Sequence, residues 1–192
     1  MQARDEIIIV RSLAESDLGI FSAHRLSATS RQRAIAITTP AARQLISPNL
    51  FDAEGTDMDV ICIYGGWGSR ELRNLAKVTK NWRLGGSKIP AGACAFLDSK
   101  DFVLLRSVRH NDGSQPILMT FIGRQRERLL HAGIVASLMD SFRGSVSIVK
   151  GGTEAFDALA AAFPDIPPAL ALGAPLAPED TGLPARAASD GR

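Results

Sequence analysis

Only two cysteines stand in the 192 residues, too few for a disulfide framework. Cys62 lies in the apolar run Val60–Tyr64 and Cys94 in Ala93–Leu97, settings where a thiol packs as a small hydrophobe. That usage suggests a reducing compartment, and no other secretory sign supports a disulfide between the two. The amino terminus, Met-Gln-Ala-Arg-Asp-Glu, lacks the apolar core of a signal peptide, and no run approaches the length that spans a bilayer. A soluble, cytoplasmic chain with no membrane partner is expected. The three histidines (His24, His110, His131) are scattered and no Cys or His pair has ligand spacing, so no metal site is expected. No Gly-x-Ser-x-Gly marks a nucleophile. Gly65-Gly66-Trp67-Gly68 lacks both the spacing of a phosphate loop and a following Lys-Ser/Thr pair, and reads as a turn. No cofactor is implied, and no internal repeat is evident.

What is present is an uneven distribution of charge. The chain carries +2 overall, yet residues 1–150 hold 20 lysines and arginines against 14 acids, whereas residues 151–192 hold 2 against 6. The basic excess belongs to the part that can fold, as a surface meeting phosphate requires. The length fits one domain, here placed at 1–165. Residues 166–192, with Pro167, Pro168, Pro175, Pro178 and Pro184 among alanines and acids, cannot build a core and read as a flexible tail.

Along the chain, Glu6–Ser12 contains a β-branched run and reads as a strand. Ser16–Arg33 loses all apolar period and reads as a long basic loop. Ala34–Thr38 alternates as a strand, and Thr39-Pro40 caps and starts a short helix over Ala41–Ile46. Asp59–Tyr64, Ala93–Leu97, Phe102–Arg109 and Pro116–Ile122 read as strands, the last two joined through the tight turn Asn111-Asp112-Gly113. Helical spacing runs from Arg126 to Phe142, with Leu130, Ile134 and Leu138 on one face, and Gly144 stops it. Ser145–Val149 is a further strand. Gly151-Gly152-Thr153 leads into a last helix with Phe156, Leu159, Ala160 and Phe163 on one side, closed by Pro164. The inventory is mainly β with short helices (α+β): about seven strands and three helices, with two irregular basic arms.

The second arm is Arg70–Pro90. It holds six lysines and arginines (Arg70, Arg73, Lys77, Lys80, Arg83, Lys88) against Glu71 alone, together with Asn74, Asn81 and Trp82. Such a segment suits an anion, and Arg, Asn and Lys interleaved on a short arm are also the side chains that read base edges in a major groove.

Several short stretches in this order resemble one family. Arg11–Gly19 is similar to its basic-plus-Leu-Ser-x-x-Asp-x-Gly run after the first strand. Gln32 and the apolar residues to Pro40 are similar to its second strand. Arg73-Asn74, Lys77-Val78-Thr79-Lys80, Trp82 and Gly85 are similar to its Arg-Asn-x-x-basic-Ile-Thr-Arg-Trp arm with one residue inserted, and Phe142–Gly152 to its closing segment. The family is that of the B3-like pseudobarrels, the amino-terminal effector and DNA-recognition domains of EcoRII-type restriction endonucleases, related to plant B3 transcription-factor domains. Over roughly residues 7 to 160 the resemblance implies a seven-stranded open pseudobarrel that grips double-stranded DNA with two arms in one major groove.

By that resemblance Ser16, Asp17, His24, Arg25, Ser27, Arg31, Gln32 and Arg33 lie in the first arm, with Arg25, Arg31, Gln32 and Arg33 at base edges. In the second arm Arg73, Asn74 and Lys77 go to base edges, Lys80, Arg83 and Lys88 to phosphates, and Trp82 buttresses. The sequence departs where Leu75 and Ala76 replace an acid and a base, and at Arg31, where a family member carries histidine. The chain is then a target-recognition part of a restriction or defence system without catalytic activity, nuclease activity lying on another domain or on a separate subunit. Two alternatives stay open. One is a metal-dependent nuclease built on Asp57, Asp59 and Asp98-Ser99-Lys100. The other is a non-catalytic protein-interaction subunit of a defence system. Arg124-Gln125-Arg126-Glu127-Arg128 opposes the dipole at a helix start; it faces either solvent or phosphate.

Overall fold

Four consecutive β-branched residues, Ile7-Ile8-Ile9-Val10, leave a strand no face for solvent. In the computed structural model, which describes residues 6–21, 24, 34–46, 57–64, 70–85, 94–107 and 116–163, β1 (Ile7–Ser12) is accordingly covered on both sides. Ile7 and Ile9 join one core cluster, and Ile8 and Val10 join a second. β1 pairs antiparallel with β6 (Phe102–Ser107) on one side and β8 (Val146–Lys150) on the other.

The remaining strands are β2 (Ile35–Thr38), β3 (Asp57–Tyr64), β4 (Arg70–Val78), β5 (Asn81–Leu84) and β7 (Ile117–Ile122). All eight form one sheet in the order β2-β5-β4-β3-β7-β6-β1-β8, antiparallel except for β3 with β7. β6 and β7 are the antiparallel pair expected, Phe102 opposite Ile122; the turn Asn111–Gly113 lies outside the described residues. The short helices are α1 (Glu15–Leu18), α2 (Thr39–Leu45), α3 (Arg128–Leu138) and α4 (Glu154–Ala160).

α2 shows how the sheet curls. It touches β2 and β5 at one end of the strand order and β1 and β6 near the other. Four strand spacings separate β5 from β6, roughly 19 Å in a flat sheet, and a helix is only about 10 Å across. The sheet therefore bends round α2, whose Ala41, Ala42 and Leu45 are buried in the first cluster beside Ile35, Ile37, Trp82 and Leu105. β2 and β8 do not pair, so the barrel stays open: mainly β with short helices, as expected. On the outer side of β1, β6 and β8, α3 and α4 cover the second cluster through Ile134, Leu138, Phe156 and Leu159.

The differences from the sequence reading are local. Among the described residues there are eight strands rather than about seven: the presumed second arm supplies β4 and β5, while residues 94–97 supply none, since 94–96 form a turn. The cap of α2 is Thr38, whose hydroxyl accepts from the Ala41 backbone N–H at 3.4 Å, one residue earlier than Thr39. α3 is capped off by a 3-10 turn at Met139–Ser141, and Gly144 takes φ +69° as the chain reverses. Thr153 caps α4 by accepting from the Phe156 backbone N–H. The turn at Gly65–Gly68 and residues 164–192 lie outside the described residues.

Candidate nucleic-acid interface

The basic stretch from Arg70 is a β-hairpin. β4 and β5 pair with Lys77 opposite Trp82 and Val78 opposite Asn81, leaving Thr79-Lys80 as a two-residue turn. Thr79 sits at φ 57°, the left-handed region that a β-branched residue adopts only under strain. Because side chains on a strand alternate, Arg73 and Asn74 cannot face the same groove. Arg73 points inward with Leu75: it is 1% exposed and donates from Nη1 to the Gly85 carbonyl at 3.3 Å. Its assignment to a base edge is corrected to one inside the barrel, since a guanidinium at that burial has no path to DNA. Asn74 is exposed on the outer face, where Ala76 lies opposite Arg83. Asn74 and Arg83 are thus diagonal neighbours, roughly 7–8 Å apart. Lys77 and Lys80 are exposed near the turn. Trp82 is buried at 1%, set against Ile37 of β2.

In the first arm, Asp17 is fully buried. Its Oδ2 accepts from Arg11 Nη2 at 2.6 Å and from the Ala14 backbone N–H at 2.9 Å, and its Oδ1 accepts from the Ala36 backbone N–H at 3.4 Å. The carboxylate ties β1, the start of α1 and β2 together. Its predicted place among the DNA contacts is corrected for that reason, and the arm is not irregular from Ser16: Leu18, Ile20 and Phe21 enter the core. Ser16 is half-buried on α1. His24 is also half-buried, its Nε2 3.3 Å from the Cys94 carbonyl. Arg25, Ser27, Arg31, Gln32, Arg33 and Lys88 lie outside the described residues.

Strand directions say which parts meet. Following the pairings across the sheet, β1 ends, β2 begins, β5 ends, β6 begins and β7 ends at one rim. The chain therefore leaves for and returns from the first arm at the rim where β5 runs on toward Lys88. The Thr79-Lys80 turn belongs to the opposite rim, where Thr39 Oγ1 donates to the Lys80 carbonyl at 3.1 Å.

The shared rim also carries the cationic turn before α3. Asp101, fully buried, accepts from the Asp98 backbone N–H at 2.8 Å, and from the Arg124 backbone N–H and Nε at 3.1 and 3.2 Å, with His131 Nε2 3.4 Å away. Arg124 also donates to the Ser99 carbonyl. Arg126 lies over the Phe96 ring, 5.0 Å from its centroid, with 65% of its side chain exposed. Lys100 is exposed beside them. The sequence left Arg124–Arg128 facing either solvent or phosphate; the contacts to Asp101 and Phe96, long in sequence separation, had no local signal.

Of the acids of the nuclease alternative, Asp57 and Asp59 open β3, whereas Asp98 lies in the segment before β6. Among the described residues no three His, Cys, Asp or Glu side chains gather to hold a metal. Both cysteines are buried free thiols. Burial pushes the Cys94 thiol up from 9.0 to about 12, against a smaller opposing pull from Arg126; Cys94 is a packing group, not a nucleophile. No helix among the described residues is long and apolar enough to cross a membrane.

No family model matches the chain, and no curated protein matches it. Among solved structures it is similar to the B3 domain of the UbaLAI restriction endonuclease, determined with cognate DNA, at 9% identity and a TM-score of 0.48, covering 77% of this chain and 87% of that one. It is also similar to the N-terminal domain of Helicobacter pylori LlaJI.R1, at 13% identity and a TM-score of 0.36, covering 74% of this chain and 97% of that one.

Proposed function

We propose that the chain is a B3-like target-recognition module that binds double-stranded DNA in a sequence-specific manner, as part of a restriction system. The observation that carries the reading is topological. The first arm and the stretch after β5 that holds Lys88 leave the sheet at one rim, beside Lys100 and Arg126, in the part of the chain that holds 20 lysines and arginines against 14 acids. Arg25, Arg31, Gln32 and Arg33 supply the base-reading groups, and Lys88 with Arg126 supplies phosphate contacts. Ser16, His24 and Ser27 support the first arm. Asn74 and Arg83 form a second polar pair on the outer face of β4 and β5, with Lys77 and Lys80 adding charge at the far turn.

The roles of Arg73, Asp17 and Trp82 become indirect, holding the hairpin and the base of the arm. Fluorescence anisotropy with a labelled duplex and the matching single strand tests the reading. Duplex is bound in preference, without added metal, and the log–log salt slope has magnitude roughly 0.9 per phosphate contacted. A slope near zero, or equal binding of single strands, contradicts it. Absence of any DNA binding returns the protein-interaction alternative.

A further inference from the structure

Lys100, in the tight turn that enters β6, takes φ +72°. Glycine adopts that left-handed backbone freely, whereas a lysine does so at a cost. The turn is held from several sides. The Lys100 backbone N–H donates to the Leu13 carbonyl at 2.8 Å, the Asp98 backbone N–H donates to Asp101 Oδ2 at 2.8 Å, and His131 Nε2 stands 3.4 Å from the Lys100 carbonyl. The Lys100 side chain is exposed, and among the described residues no carboxylate pairs with its ammonium. A cation kept where glycine would sit without strain, and unused by the fold, suits a ligand.

Asp101 ties this turn to the next one. Its Oδ1 accepts from the Arg124 backbone N–H and Nε, and Asp98 Oδ2 lies 3.8 Å from Arg124 Nη2, so the charge of Arg124 is taken up within the protein. Arg126 differs. Its guanidinium lies over the Phe96 ring, and its Nε stands 3.4 Å from Glu127 Oε1, while Glu127 Oε2 accepts from the Gly123 backbone N–H at 2.8 Å. The ring is seated on Gly123, where an added Cβ would stand 2.6 Å from Phe96 Cδ2. Stacked on one face and tethered at Nε, Arg126 still has 65% of its side chain exposed, which leaves the planar fork to meet an oxyanion.

We propose that Lys100 and Arg126, on adjoining turns joined through Asp101 and Arg124, form a preorganised clamp for the backbone phosphates of duplex DNA, separate from the two arms. The inference rests on the DNA-binding reading. Phosphate contacts fix register without carrying sequence, and side chains held in place before binding lose less freedom on contact. Fluorescence anisotropy over a salt series, with a labelled random-sequence duplex and with one selected for tight binding, tests it. Lys100→Gly and Arg126→Gln each lower the magnitude of the log–log salt slope by roughly 0.9 and weaken both duplexes to the same extent. Lys100→Gly at the same time raises the thermal midpoint by roughly 2–4 °C, because it relieves the left-handed backbone. Phe96→Leu keeps both cations and an apolar group beneath Arg126 but removes the π face, so affinity falls roughly twofold to fivefold at an unchanged slope. Circular dichroism checks that each variant is folded. A wild type that binds duplex, with slope and affinity unchanged in Lys100→Gly and Arg126→Gln, overturns the clamp and leaves the DNA-binding reading standing. A wild type that binds no duplex overturns both. Altered sequence preference in either variant overturns the clamp by placing that side chain at a base edge, and a Phe96→Leu variant equal to wild type overturns the preorganisation.

Discussion

Asp17→Ala separates a binding residue from a positioning one. In the fold the Asp17 carboxylate is fully buried, holds Arg11 at 2.6 Å, and accepts from the backbone of Ala14 and Ala36. Removing it leaves the Arg11 guanidinium, itself only 8% exposed, inside the protein without its counter-charge. Breaking one side of a buried pair costs about 3–5 kcal/mol. For a domain of this size each kcal/mol moves the midpoint by roughly 2–4 °C, so the thermal midpoint falls by roughly 6–20 °C. Urea denaturation at constant m-value measures the same loss directly. The double variant Arg11→Met/Asp17→Leu removes both charges and recovers the part due to the unpaired guanidinium, while the Ala14 and Ala36 backbone N–H groups still lose their acceptor. DNA affinity measured well below the midpoint stays close to wild type. A loss under about 1 kcal/mol in Asp17→Ala, together with a fall in DNA affinity in the folded variant, would refute this reasoning and restore Asp17 to the contacts.

On the hairpin, Asn74→Ala and Arg83→Ala narrow the gap between specific and random duplexes by about 1–3 kcal/mol if they read bases, whereas Arg73→Ala acts on the thermal midpoint; competition binding and calorimetry separate the two. Thr79→Gly relieves the left-handed backbone and stabilises by about 1 kcal/mol, seen as a raised urea midpoint; no change means the turn is unstrained. The thiol of Cys94 is protonated in both folded and unfolded chains below pH 9. Above that the unfolded chain, at about 9.0, releases its proton while the folded one holds it to about 12, so stability falls as pH rises through this window, at most about 1.4 kcal/mol per pH unit. Cys94→Ala removes that part of the slope in stability measured from pH 8.5 to 10.5, and an identical slope in both proteins contradicts the assignment.

β1, the β6–β7 pair and α4 were legible because each announces itself locally, by an unbroken β-branched run, by two apolar runs, or by a cap before an apolar period. β4 was hidden because its buried position Arg73 is a cation beside Leu75 and Lys77 is exposed, which erases the alternation that reports a half-buried strand; only its pairing with β3 and β5 makes it one. Asp17 was misplaced for the reverse reason, a charged residue in an unpatterned segment whose partner Arg11 becomes visible once β1 and α1 are set side by side. Ala93–Leu97 looked like a strand by composition, yet Cys94 and Leu97 are buried from a turn, with the Leu97 backbone N–H donating to the Cys94 carbonyl at 3.2 Å. That β1 ends, β2 begins and β5 ends at one rim follows from strand direction alone and is invisible until the sheet order is known.

The central claim, that these basic segments read sequence and do not merely hold phosphate, is tested most directly by selecting bound duplexes from a random pool with the intact chain at physiological salt. Sequence reading predicts a short shared site, bound roughly 10³-fold or more tighter than random duplex, and loss of that preference in Arg31→Ala or Arg33→Ala with non-specific binding largely retained. A pool that returns no shared site while duplex is still bound and salt-sensitive would contradict it, leaving a phosphate clamp in place of a recognition module.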